Sequence, residues 1–377
     1  MTDTRADPGR SGARAWVAVV AWSVVGTVLA VGLVLFDLAR TREVNGFLIH
    51  TGPGGPAAEL FARDFPDEPQ FERGEHDGVM FYAVARDPAD LDRVAESLDR
   101  PRYRLQRPLY PLLARALLPF GEGEPLVWAM FVVGVLGAFG GAVSLGFLSV
   151  TLRGPPWLGV LFPILPGVLQ SLRISVADGL AVALMLGATA VFLRGRLWPA
   201  TALAVAAVLA KEPVLLTFVG LVVWSRRVRD LPLVVVPASV AAALFVALRL
   251  RLPDSGQEVI EFGAPLRGWW DAVRMLWLDG AEALALVCAV ALVALSAVVL
   301  LRRRPSHPLW WPLVANLVLL AFLNITVVGL DRNGPRTVLA ALVLAVAAVA
   351  GPGPSPAPRT VTASASAAGT PAPGGGR

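Results

Sequence analysis

From Ala15 to Phe36 the chain carries no charged residue, and runs of similar character, built mainly from Ala, Val and Leu, recur along most of its length. Away from water, such a run can satisfy its backbone N–H and C=O groups only by bonding them within itself as a helix, and about 20 residues of helix match the hydrocarbon thickness of a bilayer. A transmembrane barrel would instead show alternating segments of roughly 10 residues. The pattern predicts an all-α fold, a polytopic helical membrane protein, in keeping with 55% hydrophobic and 16% charged residues.

The basic residues orient these runs. Arg5, Arg10 and Arg14 precede the first one, which is too long for the apolar core of a signal peptide and is followed by no small-x-small cleavage site, so it reads as an anchor with a cytoplasmic N-terminus. Residues 38–107 then form a long extracytoplasmic loop, in which Phe81 to Ala85 and Ala89 to Leu98 are helix-competent. Further spans are expected over Leu126–Leu152, Trp157–Leu172, Val176–Leu193, Trp198–Ala210, Val214–Trp224, Leu231–Leu248, Ala281–Leu301, Leu309–Leu330 and Val338–Ala350. Arg153, Arg194 with Arg196, the cluster Arg226, Arg227 and Arg229, and Arg302 to Arg304 all fall on the cytoplasmic side of that scheme. It gives about ten spans in the cell membrane, with both termini cytoplasmic.

Three regions follow: a cytoplasmic segment 1–14, a transmembrane domain 15–350 and a tail 351–377. The tail is dominated by Pro, Gly, Ser, Ala and Thr and cannot bury a core, so disorder is expected there. Residues 109–118, short and bounded by prolines, suit the membrane interface, as does a helix carrying Trp269, Trp270 and Trp277.

The formal charge of +5 does not point to nucleic acid, because the arginines cluster at the ends of apolar runs rather than on one soluble face. Cys288 is the sole cysteine and sits in an apolar run, while His50, His76 and His307 are scattered, so neither a disulfide framework nor a transition-metal site is expected. No cofactor is implied, although paired carboxylates leave a loosely held divalent cation open.

The long loop is the stretch that crossing a bilayer does not explain. Glu75 and Asp77 flank His76 ahead of a helical face with Phe81, Tyr82 and Ala85. Two neighbouring carboxylates supply a general base or hold a cation, and Asp77 alone also suits a helix cap. Arg102, Arg104 and Arg107 lead into Pro108-Leu109-Tyr110-Pro111; guanidinium groups at headgroup level are ligands for phosphate, and also attract anionic lipid without specificity. Lys211 and Arg336 are cations at outer turns that could fold over the same cavity or pair locally, with Glu212 and Asp331 respectively. Arg173 and Asp178 are expected to pair with each other, since charges at span ends need partners.

Two elements carry a family resemblance. His76-Asp77-Gly78-x-x-Phe81-Tyr82-x-x-Ala85, followed by Arg107-Pro108-Leu109-Tyr110-Pro111-Leu112-Leu113-Ala114-Arg115, resembles the first outer loop of GT-C-type integral membrane glycosyltransferases, particularly bacterial relatives of GPI mannosyltransferase II. Ser175-x-x-Asp178-Gly179-Leu180-Ala181 and Leu209-Ala210-Lys211-Glu212 are similar to further elements of such proteins, whereas His76 and Phe81 stand where that family carries tryptophans. The resemblance implies a GT-C-like domain over 15–350 that transfers a sugar from a polyprenyl-phosphate donor to a glycan, lipid or protein acceptor on the extracytoplasmic face. It implies Asp77 as general base with Glu75 beside it, and His76, Tyr82, Arg104, Arg107, Tyr110, Lys211 and Arg336 as substrate-binding residues. Two alternatives stand beside it: a transporter or flippase of lipid-linked precursors, which needs polar residues deep in several spans, and a non-catalytic scaffold on the same fold.

Overall fold

A computed structural model describes residues 8–41, 54–68, 77–252, 261–275, 280–328 and 333–353. Among these the structure is helical throughout, with a single isolated bridge, Phe262 to Leu323, in place of any strand. Four helices are long and apolar enough to cross a membrane: Ala13–Arg40, Gly123–Thr151, Val228–Arg251 and Ala283–Arg302. Five shorter apolar helices accompany them.

The first long helix, α1 (Pro8–Thr41), is followed by a group of short ones: α2 (Ala58–Asp64), α3 (Asp77–Arg86), α4 (Leu91–Glu96), α5 (Pro101–Arg104) and α6 (Leu109–Leu117). The two helix-competent stretches of the loop are thus helical, as α3 and α4. Asp90 caps α4 by accepting from the Arg93 N–H, and Pro101 opens α5, where its missing N–H costs nothing. Asp64, at the end of α2, ties this group together. Its carboxylate accepts from Tyr82 Oη at 2.6 Å and Arg86 Nε at 2.9 Å, and the same Tyr82 oxygen accepts from Gly123 N at 2.7 Å, where the next long helix begins.

That helix, α7 (Gly123–Thr151), forms the centre of the bundle against α1, α6 and α10 (Asp178–Leu193). Closeness to α10 depends on Gly137, where a Cβ would stand 3.1 Å from the Leu180 Cα. Between α7 and α10 the stretch expected as one span over 157–172 is broken. A 3-10 turn, Pro156–Val160, leads into α8 (Leu161–Ile164), and an extended Leu165 separates this from α9 (Pro166–Arg173). Pro166 has no N–H to continue a helix and disfavours helical geometry in the residue before it.

Next come the pair α10 and α11 (Leu197–Ala210), then α12 (Leu215–Ser225), α13 (Pro232–Arg251), α14 (Arg267–Met275), α15 (Gly280–Arg302) and α16 (Trp310–Phe322). Trp269 and Trp270 are helical, in α14, with Trp269 Nε1 bonded to the Leu320 carbonyl at 2.7 Å; Trp277 lies outside the described residues. The expected span 309–330 also breaks. Leu323 turns extended to bridge Phe262, and α17 (Ile325–Val328) starts anew with Asn324 accepting from the Ile325 N–H. The helical turn α18 (Gly334–Thr337) and the closing α19 (Leu339–Ala350) complete the fold. The buried Asn316 is satisfied internally by donating to Thr217 Oγ1 and the Pro312 carbonyl, each at 2.9 Å.

Candidate functional site

Asp77 opens α3, and residues from four other helices gather around it. α5 supplies Arg104 from its last turn, the α10 N-terminus supplies Asp178, the α11 C-terminus supplies Lys211, and α18 supplies Arg336. One Asp77 oxygen is bonded by Arg104 Nη1; the other lies 3.4 Å from both terminal nitrogens of Arg336. Arg336 also reaches Asp178 at 3.2 Å, and Lys211 closes the chain by bonding the remaining Asp178 oxygen. The sequence Arg104, Asp77, Arg336, Asp178, Lys211 is therefore a continuous alternation of charge. Asp178 and Arg336 are its most buried members, with side chains 7% and 4% exposed.

These groups line a cavity of about 220 Å³. Arg100, Tyr103 and Arg107 complete its charged wall, and Glu261 and Phe262 hang over it because the segment from 261 is hydrogen-bonded to the end of α16, with Asn324 N to Glu261 O at 2.8 Å. The lining also includes the apolar side chains of Leu319, Leu323 and Val327. The Tyr103 ring holds the Arg100 and Arg107 guanidiniums each 4.4 Å from its centre, an attraction between cation and ring face that fixes both at the rim.

Every arginine here is held by carboxylates. Burial by itself would make Arg104 and Arg107 easier to deprotonate; the charge of Asp77 with the Asp99 hydrogen bond, and for Arg107 the charge of Glu212, outweigh it and raise both above the ordinary value. Asp99 shows the converse. Burial pushes its carboxyl up, but the 2.8 Å bond from Arg104 and the charges of Arg104 and Arg100 hold it below the ordinary carboxylate value. Burial drives the Tyr103 hydroxyl up to about 12, so it stays protonated while accepting from Arg107 Nη2 at 2.7 Å.

Of the residues singled out from the sequence, Asp77, Arg104, Arg107, Lys211 and Arg336 are brought together around this cavity. Glu75 and His76 lie outside the described residues. Tyr82 and Tyr110 do not reach it. Both are fully buried, Tyr82 in the Asp64 joint and Tyr110 donating to the Met130 carbonyl at 2.8 Å, so each carries an apolar ring into the core and spends its hydroxyl on the protein.

The pairing expected of Arg173 with Asp178, and the local alternative weighed for Lys211 with Glu212, give way to long-range ones. Arg173 pairs with Asp37 at 2.9 Å rather than with Asp178. Lys211 turns to Asp178, leaving Glu212 to accept from Arg107 Nε at 2.9 Å. The reason is geometric: adjacent residues at a helix end diverge, whereas separate helix ends meet. Asp331, the local partner considered for Arg336, is outside the described residues.

Asp99, Arg100, Tyr103, Asp178, Glu212, Glu261 and Asn333 belong to the site without having been assigned to it. The spacing Asp99, Arg100, Tyr103, Arg104, Arg107 gives a helical periodicity that could have revealed the first three. Among the described residues no three Asp, Glu, His or Cys side chains gather as a metal-binding group, and the carboxylates of Asp77 and Asp178 are bridged by Arg336.

No protein-family model matches the chain, and neither does any curated protein or solved structure.

Proposed function

We propose that the chain is a membrane glycosyltransferase that moves a sugar from a polyprenyl-phosphate donor to an acceptor hydroxyl, with Asp77 as general base. The observation that carries this reading is a carboxylate in the lining of a cavity that also presents arginine and lysine side chains and the apolar side chains of leucine and valine. A lipid-linked phosphate has the matching halves: an anion for the guanidiniums and a hydrocarbon chain for the apolar side chains.

The acceptor oxygen attacks the sugar's anomeric carbon as Asp77 takes its proton. The bond from that carbon to the phosphate oxygen breaks, and the electron pair leaves with polyprenyl phosphate. Arg104 and Arg336 stabilise the charge that develops there. Without donor, both are engaged with Asp77. An arriving phosphate draws them onto itself and leaves the carboxylate less neutralised, hence more basic, only when donor is present.

The membrane scheme belongs to the same proposal: about ten crossings of the cell membrane, termini cytoplasmic and the Asp77 cavity on the extracytoplasmic face. Its support is the gathering of Arg153, Arg194, Arg196, Arg226, Arg227 and Arg229 in the connections at the end of the bundle away from Asp77.

The test is transfer in membranes supplied with polyprenyl-phosphate sugars. Asp77→Asn is expected to abolish product while leaving the amount and the thermal stability of the protein near wild type; undiminished transfer by that variant removes Asp77 as the base.

A further inference from the structure

A second cavity, of about 790 Å³, lies at the opposite end of the bundle, where the connections α10 to α11, α12 to α13 and α15 to α16 meet. Its lining is divided by chemistry. Phe192, Leu193, Leu197 and Trp311 make an apolar surface, and Arg226, Arg227 and Arg229 stand over it. The backbone arranges those three. Arg226 takes the left-handed conformation, φ 55°, with its N–H on the Val222 carbonyl, ending α12; a 3-10 turn, Val228–Asp230, then brings Arg229 to the same mouth.

Unlike the arginines around Asp77, these are not neutralised. Among the described residues neither Arg226 nor Arg227 forms an ion pair, and Arg229 has only Asp230, at 3.9 Å. Asp230 is the one acidic side chain in the lining, so three guanidiniums face one carboxylate. Trp224 borders the cavity with Nε1 on the Ser306 carbonyl at 2.9 Å, and tryptophan is a residue type enriched at headgroup level.

Excess guanidinium beside an apolar surface, at the end of membrane-crossing helices, fits a phosphate that carries an acyl chain. We propose that this cavity binds the phosphate group of an anionic phospholipid, with Arg226, Arg227 and Arg229 as its ligands and a chain lying along Phe192, Leu197 and Trp311. The site is separate from the Asp77 cavity and does not rest on the transferase reading.

The purified full-length chain in a neutral detergent is titrated with phosphatidylglycerol, with phosphatidylcholine, and with inorganic phosphate, following the thermal unfolding midpoint. Phosphatidylglycerol is expected to raise the midpoint saturably. Arg226→Gln with Arg227→Gln weakens that binding by more than about tenfold, as loss of charge-assisted hydrogen bonds requires. Arg153→Gln with Arg302→Gln, charge-matched and at the same end, leaves it unchanged. Anionic lipid bound near Asp77 contributes equally in both variants and cancels. Equal affinity in the two double variants, or an equal response to phosphatidylcholine, overturns the proposal. Saturation by inorganic phosphate as tight as by phosphatidylglycerol assigns the arginines to a soluble anion and overturns the lipid as its source. The substituted arginines are exposed, and an unchanged midpoint without lipid verifies that both variants fold.

Discussion

Arg336 meets Asp77 across 259 positions of sequence, at 3.4 Å, while its Nη1 also lies 3.2 Å from Asp178. One guanidinium therefore joins the start of α3 to the start of α10 and fixes where Asp77 stands. Replacing it with methionine keeps much of its bulk but leaves Asp178 with Lys211 and Asp77 with Arg104. Both carboxylates keep a cation, so we expect a stability loss of about 1.5–3 kcal/mol, the worth of hydrogen bonds to charged groups, rather than the larger cost of an unpaired buried charge. Transfer should fall by about a hundredfold or more, the scale of losing a donor that stabilises developing charge. Lysine restores the charge without the fork and should recover stability better than rate. Thermal unfolding and transfer assays on Arg336→Met and Arg336→Lys check the split; equal recovery of both would make Arg336 a purely structural link.

On the proposed reading, variants of Asp77 should separate binding from chemistry. If donor phosphate takes Arg104 and Arg336 from Asp77, then Asp77→Asn removes a competitor for those guanidiniums. The variant is expected to bind a polyprenyl-phosphate sugar at least as tightly as wild type while transferring none of it. Arg104→Gln should do the reverse, weakening binding by about tenfold, the worth of one charge-assisted hydrogen bond. Equilibrium binding of labelled donor to each purified variant measures this, and weaker binding by Asp77→Asn would contradict the exchange of partners.

The Asp64 joint makes stability depend on acid. Burial pushes this carboxyl up, but the hydrogen bonds from Tyr82, Arg63 and Arg86 outweigh it and hold it below the ordinary 3.8. As pH falls, the unfolded chain is protonated first, so the stabilisation is complete above the ordinary value and is lost as pH drops through the depressed folded one. The gap in unfolding midpoint between wild type and Asp64→Asn should be wide at neutral pH and narrow steadily below about pH 4. A gap constant from neutral to acid pH would show that the charge of Asp64 plays no part.

The sequence made the helical, membrane-embedded class legible because charge-free runs near the length of a span admit few other readings. Lys211 and Arg336 were legible as cations at outer turns, and Asp77, Arg104 and Arg107 as charges of the long loop that crossing a bilayer does not explain. Their partners were not. Pairing was sought between neighbours, Lys211 with Glu212 and Arg173 with Asp178, whereas the structure joins Lys211 to Asp178 and Arg107 to Glu212. Which helix ends meet depends on packing, through contacts such as Gly137 against Leu180, that no local pattern encodes. The breaks at Leu165 and Leu323 escaped for a related reason. An apolar run looks continuous even where Pro166 or a bridge to Phe262 interrupts its helix. Tyr82 and Tyr110 show the limit of motif reading, since both sit in quoted elements yet serve the core.

Two glycines of α1 give a test of packing that leaves the site untouched. A Cβ on Gly26 would stand 2.6 Å from the Val160 carbonyl oxygen, part of the 3-10 turn against which α1 rests. Backbone cannot rotate away as a side chain can, so Gly26→Ala must push the helix off that turn, at a cost of about 1–3 kcal/mol for overpacking. Gly32 has nothing within 4 Å of the same added atom. There alanine only removes glycine's conformational freedom, which in a helix interior is worth roughly 0.5–1 kcal/mol in the favourable direction. Unfolding midpoints in one detergent should therefore move in opposite directions, down for Gly26→Ala and up or unchanged for Gly32→Ala. A matched drop in both single variants would mean that α1 packs on the bundle through a different face.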